Sequence, residues 1–346
     1  MNHRGNSCVN EKKNIAVIFT GGTIGSKADR DGWIAPNREQ PYALIELFAK
    51  KHPDISADIC FSCTMPYQIL SEQLDAQYLT MLIHEVQGIV KQNREQKTDA
   101  IIICHGTDTL AYSAAMLGII FAACEIPIYL VSSNYPLTDD RANGIDNFLY
   151  AIKSIEKDYY GVMVPYKNSD GNTYLHQGVK LLAHQTFEDN VFSVHQEHLG
   201  YFDLTGKWHE NTLKGQENNI FPCNHTINNG SKKVNHGYEE IRLKSDTREI
   251  LRLHVYPGYT WNLLPAGVRY VIVETYHSGT LCINEDLRRY MKQAEENDVT
   301  VYLAGLNRLT NSYETIKQYE ELGLVPVLNV APIALYCKFW LEISEW

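Results

Sequence analysis

Two short stretches carry residue types from which a pocket with reactive hydroxyls could be built: Thr20 to Gly25, read T-G-G-T-I-G, and His105 to Thr109, read H-G-T-D-T. Threonine hydroxyls can donate hydrogen bonds or attack, and an aspartate accepts. Glycines let the main chain take φ > 0 and let another group approach it closely. Each stretch follows an unbroken apolar run, Ile15-Ala16-Val17-Ile18-Phe19 in one case and Ala100-Ile101-Ile102-Ile103-Cys104 in the other. Runs without alternation belong to strands covered on both faces of a parallel sheet. The pattern thus predicts a ligand pocket at two strand ends. Asp108 also has an ordinary reading as the N-cap of the helix that follows. Thr107 stands at a helix N-terminus beyond a parallel strand, where open α/β sheets place ligands and the dipole favours a carboxylate or developing negative charge. His105, at a buried strand end, reads as a structural group rather than a base.

The elements that must position these turns follow from periodicity. Helices are expected at 43–50, from Leu74 through Tyr78, Leu82, Val86 and Ile89, at 109–123, 147–155, 284–297 and 315–322. Strands are expected at 55–61, 126–132, 251–255, 270–273, 299–303 and 325–328, with 161–165 and 174–183 forming an edge hairpin. Alternating strands and helices predict an α/β protein: a larger N-terminal doubly wound, mainly parallel sheet domain over 14–202 and a smaller C-terminal parallel α/β domain over 246–346. Residues 1–13 read as a poorly ordered N-terminus. Residues 203–245, rich in Asn, Gly, Lys and His, read as a linker. The polar loop from Ser26 to Pro36 carries one large aromatic, Trp33, and is either a lid over the pocket or a surface connection with Trp33 tucked onto the body.

Composition narrows the function classes. A net charge of −10 over 346 residues argues against a nucleic-acid or anionic-membrane partner. The longest apolar stretch, 114–124, falls short of the roughly 20 residues of a membrane helix. The polar first ten residues show no secretory signal, and eight cysteines then read as free thiols of a cytoplasmic protein. Cys60 and Cys63 have C-x-x-C spacing by chance, with no second pair for a metal site.

Taken in order, T-G-G-T-I-G and H-G-T-D-T resemble the bacterial-type L-asparaginase and glutaminase family, closest to its cytoplasmic type I branch. Further along, Pro136-Leu137 with Arg141, Gly144 and Asn147, then Tyr256-Pro257-Gly258, then Tyr276 to Thr280 look like later family segments, so the resemblance spans most of the chain. It implies a two-domain α/β fold, no cofactor or metal, a homodimer or tetramer, and a small amino acid or amide as substrate. It implies Thr23 as nucleophile, with Thr107 and Asp108 completing the catalytic set. Substrate binding would fall to Ser71 and Glu72 and to backbone N–H groups about Gly22 and Gly106.

The sequence departs from the family pattern at both activating positions. The lid tyrosine expected ten residues after the nucleophile is Trp33, whose indole donates one hydrogen bond and takes no proton. The lysine expected five residues beyond Gly178 and nine before Phe192 is Ala183. Lys180 is a candidate compensating base if the backbone bulges locally, as are His184 and Lys27. Two readings follow: an amidohydrolase acting on asparagine or a related amide, and a non-hydrolytic amino-acid-binding or regulatory protein on the same scaffold. A third, phosphate binding by the glycine-rich turns, is weakest, because neither turn has a G-x-x-x-x-G-K-[ST] or G-x-G-x-x-G pattern.

Overall fold

The structure, a computed structural model, describes residues 12–28, 31, 33–37, 42–93, 95–212, 241–306 and 315–346. The first strand, β1 (Lys13–Phe19), leads through the T-G-G-T turn into a two-stranded ribbon of β2 (Ser26–Ala28) and β3 (Ile34–Pro36). Two short helices, α1 (Ala43–Lys51) and α2 (Pro53–Ala57), precede β4 (Ile59–Thr64), which pairs parallel with β1. The strand expected at 55–61 therefore starts later. Pro53, with its fixed φ, occupies the first turn of α2 and makes residues 53–57 helical.

Helix α3 (Ala76–Gln92) begins at Asp75, whose carboxylate accepts from the N–H groups of Gln77 and Tyr78. It is followed by β5 (Ala100–Cys104), α4 (Leu110–Ile120), β6 (Ile128–Val131), α5 (Gly144–Ser154) and β7 (Val162–Lys167). Then β8 (Thr173–Gln177), β9 (Gly200–Phe202) and β10 (Trp208–Glu210) turn back antiparallel, so the expected hairpin is not the edge, and its second strand, expected over 174–183, ends at Gln177, where 178–180 form a tight helical turn. The strand order is β10-β9-β8-β7-β6-β5-β1-β4, with β4, β1, β5, β6 and β7 parallel. Both faces are covered, which is why the central strands read as unbroken apolar runs. Ile101 and Ile103 pack toward α3 and α4, while Ile102 and Val17 pack toward α1 and α5 through Phe48 and Phe148.

A second sheet runs β11 (Ile250–His254), β12 (Tyr270–Glu274), β13 (Thr300–Leu306) and β14 (Val325–Leu328), all parallel. Helices α6 (Glu285–Glu296) and α7 (Thr315–Glu321) cover one face. The last helix, α8 (Pro332–Ile343), lies between the other face and α4, so Ile250, Ile272, Ala304 and Val327 share one core with residues of the first sheet. This is the expected α/β architecture, a large mainly parallel sheet and a smaller parallel one.

The expected boundaries shift in detail. Lys13 is already in β1, and residues 1–11 lie outside the described residues. Within the stretch read as a linker, 208–210 form β10, and Ile241 and Leu243 are buried against α3, where Leu243 N–H donates to Thr80 Oγ1 at 3.1 Å. Residues 213–240 lie outside the described residues. Among the described residues no helix is long and apolar enough to cross a membrane.

Candidate active site

The carboxyl ends of β1 and β5 lie side by side, because Phe19 pairs with Cys104. Thr20 ties the exits together, its N–H donating to the Cys104 carbonyl at 3.1 Å and its Oγ1 to the same oxygen at 2.8 Å. Beyond this tie the two turns touch. Gly22 adopts φ 72°, and a Cβ placed on it would lie 2.2 Å from the Cα of Gly106. A Cβ on Gly106 would meet the Ser71 side chain at 2.5 Å. Each glycine is thus required by contact, and for Gly22 also by a left-handed backbone. Thr23 and Thr107, the next residue in each turn, therefore flank a single junction.

A third segment completes the junction. Gly22 N–H donates to the Ile69 carbonyl at 2.8 Å and Ile69 N–H to the Thr20 carbonyl at 3.1 Å, which draws 67–74 alongside the first turn. Ser71 is buried and its Oγ donates to Asp108 Oδ2 at 3.1 Å, while Thr109 Oγ1 donates to the Ser71 carbonyl at 3.0 Å. Asp108 is not the helix cap, since the N-cap of α4 is Thr109. Its carboxylate is exposed and turned instead to Ser71. Glu72 is exposed in the same short turn. Thr23 and Thr107 are half-buried.

Thr20, Tyr67, Ile69, Ser71, His105 and Thr109, with Gly22, Leu74 and Gly106, line a small cleft at the junction, with room for little more than a water molecule. Thr23, Thr107 and Asp108 are not among its lining residues. His105 is a structural group there. Its Nδ1 contacts the Gly106 carbonyl at 2.8 Å, so that nitrogen carries the proton, and Nε2 then accepts from Ser113 Oγ at 2.8 Å. Burial lowers its pKa, in keeping with this neutral tautomer.

Asn143 and Asn147 have a job that the motif alone did not disclose. Asn143 Oδ1 accepts from Asn134 N–H at 3.0 Å, and Asn147 bridges the strand ends of β6 and β7 through the Ser132 carbonyl at 2.9 Å and Lys167 N–H at 2.7 Å.

The departures from the family pattern sort differently in space. Trp33 is 75% exposed, so it is not tucked onto the body. The ribbon beside it is hung on the first turn by Asn37 N–H donating to the Gly25 carbonyl at 2.9 Å. Lys27 is exposed on β2. Lys180, expected as a compensating base, is instead buried in the fold and ion-paired with Glu197, each side chain only 6% exposed. It lies in a tight turn at 178–180 packed on α4, where a Cβ on Gly178 would meet the Ala114 carbonyl at 2.4 Å. Ala183 is exposed. His184 is half-buried and lies edge-on to Tyr166 at 5.6 Å between ring centroids. Among the described residues no three His, Cys, Asp or Glu side chains gather as metal ligands.

Two threonine-bearing turns meeting at the carboxyl end of a mainly parallel sheet, with a second parallel sheet behind, define a recognised class of α/β protein. The family model described as Asparaginase, N-terminal, matches residues 14–214, and the chain belongs to the asparaginase family. In structure it is similar to L-asparaginase I of Vibrio cholerae, with a TM-score of 0.69 and 22% identity over 96% of this chain and 93% of that one. It is equally similar to the thermostable L-asparaginase of Thermococcus kodakarensis, with a TM-score of 0.69 and 18% identity over the same shares. In sequence it is 26% identical to the D subunit of glutamyl-tRNA(Gln) amidotransferase from Metallosphaera sedula, over 94% of this chain and 71% of that protein. The protein of the same name from Sulfolobus acidocaldarius is 27% identical over 96% and 71%.

Proposed function

We propose that the protein is an amidohydrolase that converts the side-chain amide of L-asparagine, or a related small amide, to the acid and ammonia. The observation that carries this reading is the contact of Gly22 with Gly106, which brings Thr23, Thr107, Asp108 and Ser71 around one junction. In the reaction Thr23 Oγ1 adds to the amide carbon and its proton leaves to a nearby base. The carbon–nitrogen bond then breaks, the nitrogen takes a proton and departs as ammonia, and water hydrolyses the ester. Backbone N–H groups about Gly22 and Gly106 and the Ser71 hydroxyl suit the substrate carboxylate, and Glu72 and Asp108 suit its ammonium. On this reading 14–202 carries the chemistry, 246–346 supports it, and the assembly is a cytoplasmic homodimer or tetramer, a state read from its mass in solution.

The name of the amidotransferase relatives concerns transfer of an amide to glutamyl-tRNA(Gln), and it widens the substrates worth testing to glutamine. The test is ammonia release from asparagine, glutamine and close analogues. Thr23→Ala should abolish it. Trp33 and the burial of Lys180 against Glu197 favour a second reading, an amino-acid-binding protein without turnover. No ammonia from any amide, together with a raised melting temperature in aspartate or asparagine, would replace the first reading by the second.

A further inference from the structure

The cleft at the junction is lined by polar side chains whose hydrogen-bonding capacity can be counted group by group. Thr20 Oγ1 spends its proton on the Cys104 carbonyl at 2.8 Å, Ser71 Oγ on Asp108 Oδ2 at 3.1 Å, and Thr109 Oγ1 on the Ser71 carbonyl at 3.0 Å. Each of these oxygens keeps lone pairs and has no proton left to give. Both ring nitrogens of His105 are engaged, by the Gly106 carbonyl and by Ser113. This part of the lining therefore offers acceptors without donors.

Tyr67 is the exception. It is 7% exposed, its ring rests on Tyr78 of α3 with 5.0 Å between centroids, and its Oη is buried with no hydrogen-bond partner among the described residues. Burial pushes its pKa well above the ordinary phenol value, and the Thr20 hydroxyl on the same cleft acts the other way, so Tyr67 carries its proton at neutral pH. A buried O–H without an acceptor is costly. One molecule answers both needs: a water accepts from Tyr67 and donates two bonds, and the cleft has room for one.

We propose that the cleft holds one buried water, accepting from Tyr67 Oη and donating to Ser71 Oγ and Thr20 Oγ1, and that Tyr67 is thereby a positioning residue for Ser71. A Ser71 oxygen that receives a proton from the cleft side turns its own proton outward, toward Asp108 in the free protein and toward the carboxylate of a bound amino acid. The role rests on the reading of Ser71 as a group that binds an amino-acid carboxylate. Its effect falls on binding rather than on the chemical step, because that carboxylate is held alike before and during reaction.

A crystal structure of the protein should show a water within about 3.2 Å of both Tyr67 Oη and Ser71 Oγ. A dry cleft, or Tyr67 Oη bonded directly to Thr20, would overturn the proposal. Tyr67→Phe should weaken binding of aspartate or glutamate, read by titration calorimetry, about three- to tenfold, and raise KM for the matching amide by the same factor with kcat within about twofold. Unchanged affinity would overturn the positioning role. The same substitution in a Ser71→Ala background should cost nothing further, whereas equal losses in both backgrounds would show that Tyr67 acts without Ser71. Should Tyr67→Phe fail to fold, the wild-type crystal structure still decides. If wild type binds neither amino acid and releases no ammonia, the reading of Ser71 and the positioning role fail together, while the water in the cleft stands or falls on the crystal structure alone.

Discussion

At the scale of single residues, the site depends on an absence of side-chain atoms as much as on hydroxyls. Gly22 sits at φ 72° with Gly106 where its own Cβ would be, so Gly22→Ala combines left-handed strain of about 1–2 kcal/mol with a backbone clash at 2.2 Å. We expect that variant to lose at least about 2 kcal/mol in urea denaturation and to lose amino-acid-induced stabilisation; wild-type behaviour in both would show that the turns can part freely. The pair of glycines was legible in sequence because only a close approach explains T-G-G-T beside H-G-T-D. That Ser71 would donate to Asp108 was not legible. The two are far apart in the chain, and only the drawing of 67–74 alongside the first turn brings them together.

At the scale of elements, the tight turn at 178–180 shows how a charged residue near a site can belong to the scaffold. Lys180 and Glu197 are both buried and join the approach to the 181–193 loop with its return. Removing one partner of such a pair leaves a buried charge and costs about 3–5 kcal/mol. Lys180→Met should therefore lower the urea midpoint strongly, and Lys180→Met with Glu197→Leu should recover most of it. A Lys180→Met protein as stable as wild type would mean that the pair is solvated in solution. Most helices and strands were legible from apolar spacing to within a few residues. The exceptions have local causes: Pro53 makes a helix where Ile55 suggested a strand, and β9 and β10 are three-residue strands too short to register as a pattern.

At the scale of the whole molecule, the two sheets do not keep separate cores. Helix α8 buries Leu335, Phe339 and Leu341 in the same cluster as Leu117 of α4 and Ile272 of β12. Arg252 of β11 reaches across to Tyr112 of α4, with Nη1 donating to its Oη at 2.6 Å, while pairing with Glu274. Cooperative unfolding follows from a shared core. Calorimetry should show one transition, with calorimetric and van't Hoff enthalpies in agreement, and two resolved transitions would show that the sheets unfold independently.

The sequence by itself determined the layered α/β plan, the family and the two hydroxyl-bearing turns, because unbroken apolar runs and paired glycines each have a local physical cause. Only the tertiary structure decided that Lys180 faces Glu197, that Ser71 meets Asp108, and that α8 joins the two sheets. Those are facts about which side chains meet across long separations in the chain. Electrostatic pairing and core packing act through space, so they emerge only once the loops have been folded over the sheet.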